Sequence, residues 1–147
     1  WPGRYRRAVS LGDRQGHLMR VQAAPAPLLR AWLAPKFSGV TVADAVPDEW
    51  TPDEAPVIVL ADDGGPVVVA WSGQIVRSYH VIRITARGRV RTAVGELARI
   101  AAGHLSTARL PGIKVHGVGP VLESRDPKTG AVLASTLVNV QARARQI

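Results

Sequence analysis

The chain of 147 residues has no cysteine, a single methionine and few aromatic side chains, 5% of the total. Without cysteine there is no disulfide framework, no thiolate metal ligand and no thiol nucleophile, and the redox compartment leaves no mark on the sequence. Stability has to come from packing, with assembly as a further available source. No apolar run approaches the roughly 20 residues needed to cross a bilayer, and the opening Trp1-Pro2-Gly3-Arg4 lacks the apolar core of a signal peptide. The expectation is a soluble protein, made where it works, with no membrane partner.

Catalytic and ligand-binding constellations are equally scarce. His17, His80, His104 and His116 stand apart, with no HExxH and no pair at i and i+4, so they offer no metal site. None of the serines at 10, 38, 72, 78, 106, 124 and 135 sits in a GxSxG elbow. Asp62-Asp63 precedes Gly64-Gly65, where turn chemistry accounts for both aspartates without catalysis. Gly117-Val118-Gly119-Pro120 is a fragment of a glycine-rich loop, but it lies inside a strand pattern with no helix after it, and a bulge or bend is the expected outcome. The reading is of a protein that is no enzyme and holds no cofactor.

What is present is a single domain's worth of apolar residues, 46% of the chain, and a net charge of +8. A basic chain of this kind attracts polyanions. The charge is segregated, however: residues 44 to 63 hold Asp44, Asp48, Glu49, Asp53, Glu54, Asp62 and Asp63 with no Lys or Arg, and the flanking segments carry all the positive charge. Surfaces of opposite sign on one subunit favour head-to-tail contacts, which close into rings when the rotation per subunit permits. Arg83, Arg87, Arg89 and Arg91 are the candidate partners for that acidic segment on a neighbour. Together with Arg4, Arg6 and Arg7 they are also the candidate patch of a nucleic-acid-binding module, although no aromatic recognition sheet or helix-turn-helix accompanies them.

Residues 1 to 23 read as an extended N-terminal arm without its own core, with Trp1, Tyr5, Arg4, Arg6 and Arg7 as candidate anchors on a neighbour. Residues 24 to 147 form the domain. Pro27 and the spacing of Leu28, Leu29, Trp32 and Leu33 predict a helix over about 26 to 34, which Pro35 ends. Strands are expected at 40 to 43, 57 to 60, 66 to 71 and 79 to 86, with a turn at Asp62-Asp63-Gly64-Gly65. Val90, Val94, Leu97, Ala101 and Leu105 set a helical period and predict a second helix over about 91 to 106. Residues 113 to 123 and 131 to 144 then read as a hairpin, with Val132, Ala134, Thr136, Val138, Val140 and Ala142 on its core face. The fold class is α+β in the order α-β-β-β-α-β-β, a mostly antiparallel sheet of about five strands with two helices on one face.

Taken in order, the short first helix, the strand entering a proline-punctuated loop, Ala55-Pro-Val-Ile-Val-Leu-Ala-Asp-Asp-Gly-Gly65, His80-Val-Ile-Arg-Ile-Thr-Ala-Arg87, Ala93-Val-Gly-Glu-Leu-Ala-Arg-Ile-Ala-Ala-Gly-His-Leu105 and a hairpin with Gly119-Pro120 and Asp126-Pro127 form a recognisable series. It resembles the tail terminator proteins of long-tailed bacteriophages, also called tail-completion or head-to-tail joining proteins, over about residues 26 to 144. The resemblance implies a non-enzymatic hexameric ring of the virion neck, assembled in the host cytoplasm. Such a ring caps the tail tube protein, meets the head-completion or connector protein, and passes DNA through its bore without sequence-specific binding. It carries over no catalytic residues. It leaves the acidic residues free to face either the bore or a neighbouring subunit. Another head-to-tail connector ring, a stopper or adaptor, is the nearest alternative in role.

Overall fold

The computed structural model describes residues 19–147. Its elements are β1 (Arg20–Val21), α1 (Pro25–Leu33), β2 (Thr41–Ala43), β3 (Val57–Asp62), β4 (Val67–Val69), β5 (Ile75–Gly88), α2 (Arg91–Ser106), β6 (Ile113–Val118), β7 (Leu122–Arg125), β8 (Val132–Arg143) and β9 (Arg145–Gln146). The class is α+β, with two α-helices among the described residues and a mostly antiparallel sheet.

The spine of the sheet is the pair β5 and β8, which run antiparallel from Arg77↔Arg143 to Gly88↔Val132. On one side β3 pairs with β5, and β2 lies outside β3 in a parallel pairing, Thr41↔Val57 to Ala43↔Val59. A parallel pair needs a crossover of a dozen or so residues. Here residues 44–56 supply it, which explains why the acidic segment is long and loops over the surface. On the other side β6 and β7 both pair with β8.

The sheet has seven strands, not the expected five, because two of its arms are broken by bulges. β3 and β4 both run antiparallel to β5 on the same side, Asp62↔Ile82 being followed by Val67↔Ser78. The chain therefore does not reverse at Asp62-Asp63-Gly64-Gly65, and the expected turn is a one-residue bulge: five steps along β3–β4 oppose four along β5. Main-chain bonds continue across it, from Asp63 N–H to Val81 O, Val81 N–H to Gly64 O and Tyr79 N–H to Pro66 O. Gly65 is required there, since a Cβ would lie 2.2 Å from the Tyr79 carbonyl oxygen. The true reversal comes one strand later, where Gly73 N–H bonds Ala70 O and Ala70 N–H bonds Gln74 O. Ile75 and Val76 belong to the strand that follows.

The other broken arm is the first half of the C-terminal hairpin. Its register on β8 slips between Val115 and Gly117, and again at Gly119-Pro120, where Gly119 N–H bonds Leu137 O and the Thr136 hydroxyl donates to Gly119 O. Gly117 to Pro120 thus bends a strand, as the sequence suggests.

Both helices pack into one core. Leu29 and Leu33 of α1, and Val94, Ala98, Ala101 and Leu105 of α2, are fully buried with Ile58, Leu60, Ile82, Ile84, Ala86, Ala134, Val138 and Val140 of the sheet. The small residues of α2 let it approach closely; a Cβ on Gly95 would stand 2.8 Å from Glu123 Oε1. Replacing a buried leucine such as Leu29 or Leu105 by alanine costs about 2–5 kcal/mol in such a setting.

The last residues of the arm are tied down: β1 pairs with β9 through Arg20↔Gln146 and Val21↔Arg145, and Ile147 N–H bonds Met19 O. The arm anchors Trp1, Arg4, Tyr5, Arg6 and Arg7 lie outside the described residues.

Candidate functional site

The acidic crossover of residues 44–56 is organised by its own backbone. Trp50 N–H bonds Pro47 O, the Trp50 indole N–H donates to Ala55 O at 3.0 Å, and Thr51 N–H bonds a Glu54 carboxylate oxygen at 2.5 Å. Glu49 takes a left-handed φ of 60° to close the turn. This scaffold presents Asp44, Asp48, Glu49 and Glu54 with no ion pair among the described residues, while Asp53 meets Arg89 at 3.4 Å with both side chains exposed.

The last two acids of the segment are engaged differently. Asp63 pairs with Arg83 at 2.8 Å. Asp62 caps the bulge, one oxygen accepting Gly64 N–H at 2.8 Å and the other lying 2.8 Å from His80 Nδ1. They do not extend the free acidic surface.

The four candidate arginines do not form a free patch either. Arg83 pairs with Asp63, Arg87 with Asp126 at 3.5 Å, Arg89 with Asp53, and Arg91 with Glu123 at 2.6 Å. The loop and hairpin beyond α2 therefore neutralise two of them. Glu123 has a second effect: it brings a carboxylate to the first turn of α2, whose N-cap Val90 offers no side-chain cap and whose first residue is the unfavourably placed Arg91. Asp126 accepts Lys128 N–H, which holds its carboxyl below the ordinary aspartate value; Thr129 and the Arg87 charge act in the same direction against partial desolvation.

Ten cations have no ion pair among the described residues: Arg30, Lys36, Arg109, Arg125 and Lys128 are spread over other elements, and the remaining five cluster. Arg20, Arg77, Lys114, Arg143 and Arg145 have no ion pair among the described residues, and no acid lies among them. Pairing gathers them at the end of the sheet where β5 begins and β8 finishes: Arg77 opposes Arg143, Lys114 opposes Gln141, and Arg145 opposes Val21. Arg77, Lys114 and Arg143 line a groove of about 340 Å³. Sequence spacing hides this cluster because its members are up to 125 positions apart, Arg20 to Arg145, and meet only through sheet register.

One buried polar group has the connectivity of a hydrolase relay. Ser78 Oγ lies 2.6 Å from His80 Nε2, and His80 Nδ1 lies 2.8 Å from Asp62 Oδ2. The resemblance stops at access, because Ser78 is 1% exposed on the core face of β5. A groove of about 410 Å³ lined by Gly64, Gly65, Pro66, Tyr79 and His116 reaches His80 but not Ser78. A nucleophile has to meet its substrate; this serine meets only its own core. The three residues act as a clamp across the bulge, each satisfying the others where the apolar layer is interrupted.

Among the described residues no three His, Asp or Glu side chains gather to hold a metal ion, and no helix is long and apolar enough to cross a membrane. No protein-family model matches the chain, and no curated protein is significantly similar to it.

Proposed function

We propose that this chain is a structural subunit of a head-to-tail ring, capping the tail tube of a long-tailed phage and joining it to the head connector, with DNA passing through the bore. The observation that carries the reading is the separation of unpaired charge. Asp44, Asp48, Glu49 and Glu54 flank the edge strand β2, whereas Lys114 on the opposite edge strand β6, with Arg77 and Arg143 beside it, has no acid within reach. Charges of opposite sign on opposite edges of one sheet are complementary between copies related by rotation, not within one copy.

The test is the mass of the purified protein by mass photometry at low and at high salt, with negative-stain images of whatever forms. Closed rings, six-membered in the closest form of the reading, are expected at low salt. Replacing Asp44, Asp48 and Glu49 together by lysine is expected to leave a folded monomer. A wild-type chain that stays monomeric at every concentration and salt, and binds duplex DNA with an affinity falling steeply with salt, overturns the ring in favour of a nucleic-acid-binding module.

A further inference from the structure

We infer that copies of this chain join by continuing one sheet into the next, β4 of one copy pairing antiparallel with β6 of its neighbour and Trp71 anchoring the joint. The inference rests on the ring reading above and names its interface. Among the described residues β4 pairs only with β5, and β6 only with β8 and with Leu110 through a single bridge, so both have an open edge. Natural sheets blunt such edges with charge, proline or bulges. β2 is blunted by the acids and prolines that follow it. β4 lacks such charge: Val67-Val68-Val69 sits in a stretch from Gly64 to Val76 without one charged residue, with Pro66 just before it and one register slip on β5 between Val68 and Val69.

Its hydrogen-bonding groups point the right way. Pro66 O accepts from Tyr79 and Ala70 N–H donates to Gln74, so the alternating residues Val67 and Val69 turn their N–H and C=O groups away from β5. Direction also agrees. β4 runs opposite to β5, β5 opposite to β8, and β8 opposite to β6, so β4 set beside a neighbour's β6 extends the antiparallel alternation.

That geometry decides where Trp71 falls. β4 runs toward the hairpin tip, where Trp71 is fully exposed, and β6 starts at Ile113. Antiparallel pairing brings the tip of one copy to the start of β6 in the next, where Ala108, Leu110, Pro111, Ile113 and Val115 line a groove of about 580 Å³. A large exposed indole meets an apolar groove with room for it. The chain's own two open edges select a second copy as the occupant: β4 and β6 match in strand direction, and Arg109 and Lys114, which also line the groove, can lie against an indole face.

Because the chain has no cysteine, the joint is open to clean cross-linking. Val69→Cys is combined in turn with Lys114→Cys and with His116→Cys and oxidised mildly. A ladder of disulfide-linked species ending at the ring mass is expected from at least one double variant, and nothing beyond dimers from the single variants. Trp71→Ala is expected to weaken assembly at least tenfold with an unchanged melting temperature. If wild type forms rings while both double variants stop at dimers and Trp71→Ala assembles normally, the edge pairing is overturned and the ring stands. If wild type never assembles and no ladder forms, both fall.

Discussion

His80 Nδ1 lies 2.8 Å from Asp62 Oδ2, joining two residues 18 positions apart in the chain across the bulge between β3 and β4. In the neutral ring Nδ1–H donates to the carboxylate and Nε2 accepts the Ser78 hydroxyl. His80→Ala strands a buried hydroxyl and a partly buried carboxylate, and is expected to cost about 1–3 kcal/mol. Asp62→Asn is expected to cost less, because the amide oxygen can still accept Gly64 N–H and its NH2 can donate to a ring of the other tautomer. Urea denaturation of the two variants checks the order.

The same burial predicts chemical silence. A fluorophosphonate probe is expected to leave Ser78 unlabelled over hours, with intact mass spectrometry as the readout. Labelling that Ser78→Ala abolishes would show that the clamp opens to solvent and would revive a hydrolase.

Two glycines give opposite predictions. At Gly65 a Cβ collides with the Tyr79 carbonyl oxygen, and Gly65→Ala is expected to destabilise by more than about 3 kcal/mol, since backbone is what has to move. At Gly103, on the exposed side of α2, a Cβ meets nothing within 4 Å. Gly103→Ala is expected to stabilise by about 0.5–1 kcal/mol through helix propensity and a less disordered unfolded chain. Thermal melting of both against wild type decides.

The contrast shows which parts of the structure the residues announce locally. The helix expected over 91 to 106 is observed as Arg91–Ser106, because a long 3.6-residue period bounded by Leu110-Pro111-Gly112 leaves few alternatives. The core face of β8 is legible for the same reason: Val132, Ala134, Thr136, Val138, Val140 and Ala142 are all buried. Asp62 to Gly65 was open to misreading because bulges and turns use the same residues; only the register of both flanking strands on β5 tells them apart. Ser78 and His80 share a strand face by spacing alone, but their link to Asp62 needs that same register. The partners of Arg87 and Arg91 were likewise out of reach, since Asp126 and Glu123 return to them only after a whole helix and a strand.

Asp126 gives the molecule an acid-sensitive contact. Its carboxyl titrates below the ordinary aspartate value of 3.8, first because Lys128 N–H donates to it and further because of Thr129 and Arg87. The folded state thus prefers the charged form, so the contribution to stability is complete above the unfolded value and is lost as pH falls below 3.8 through the folded value. Asp126→Ala is expected to lower stability at pH 7 and to flatten its fall in that acid window. Chemical denaturation of both proteins between neutral pH and pH about 3 measures the difference.

Charge reversal separates the two halves of the acidic segment. Asp62 and Asp63 are bonded within their own chain, so reversing them tests folding before it tests assembly: Asp62→Lys removes the clamp's acceptor and places a cation beside His80, and a fall in melting temperature of several degrees is expected. Asp44 and Asp48 have no such partner among the described residues. Asp44→Lys with Asp48→Lys is expected to leave the melting temperature of the monomer within a degree or two, since unpaired surface charges contribute little to folding. If the acidic edge meets the cations of a neighbour, the same double variant dissociates the assembly in sedimentation velocity at low salt, and restores it when Lys114 and Arg143 are reversed to glutamate. Loss of assembly in Asp62→Lys alone, with the Asp44 and Asp48 variant sedimenting as wild type, would place the joint at the bulge and not at the crossover loop.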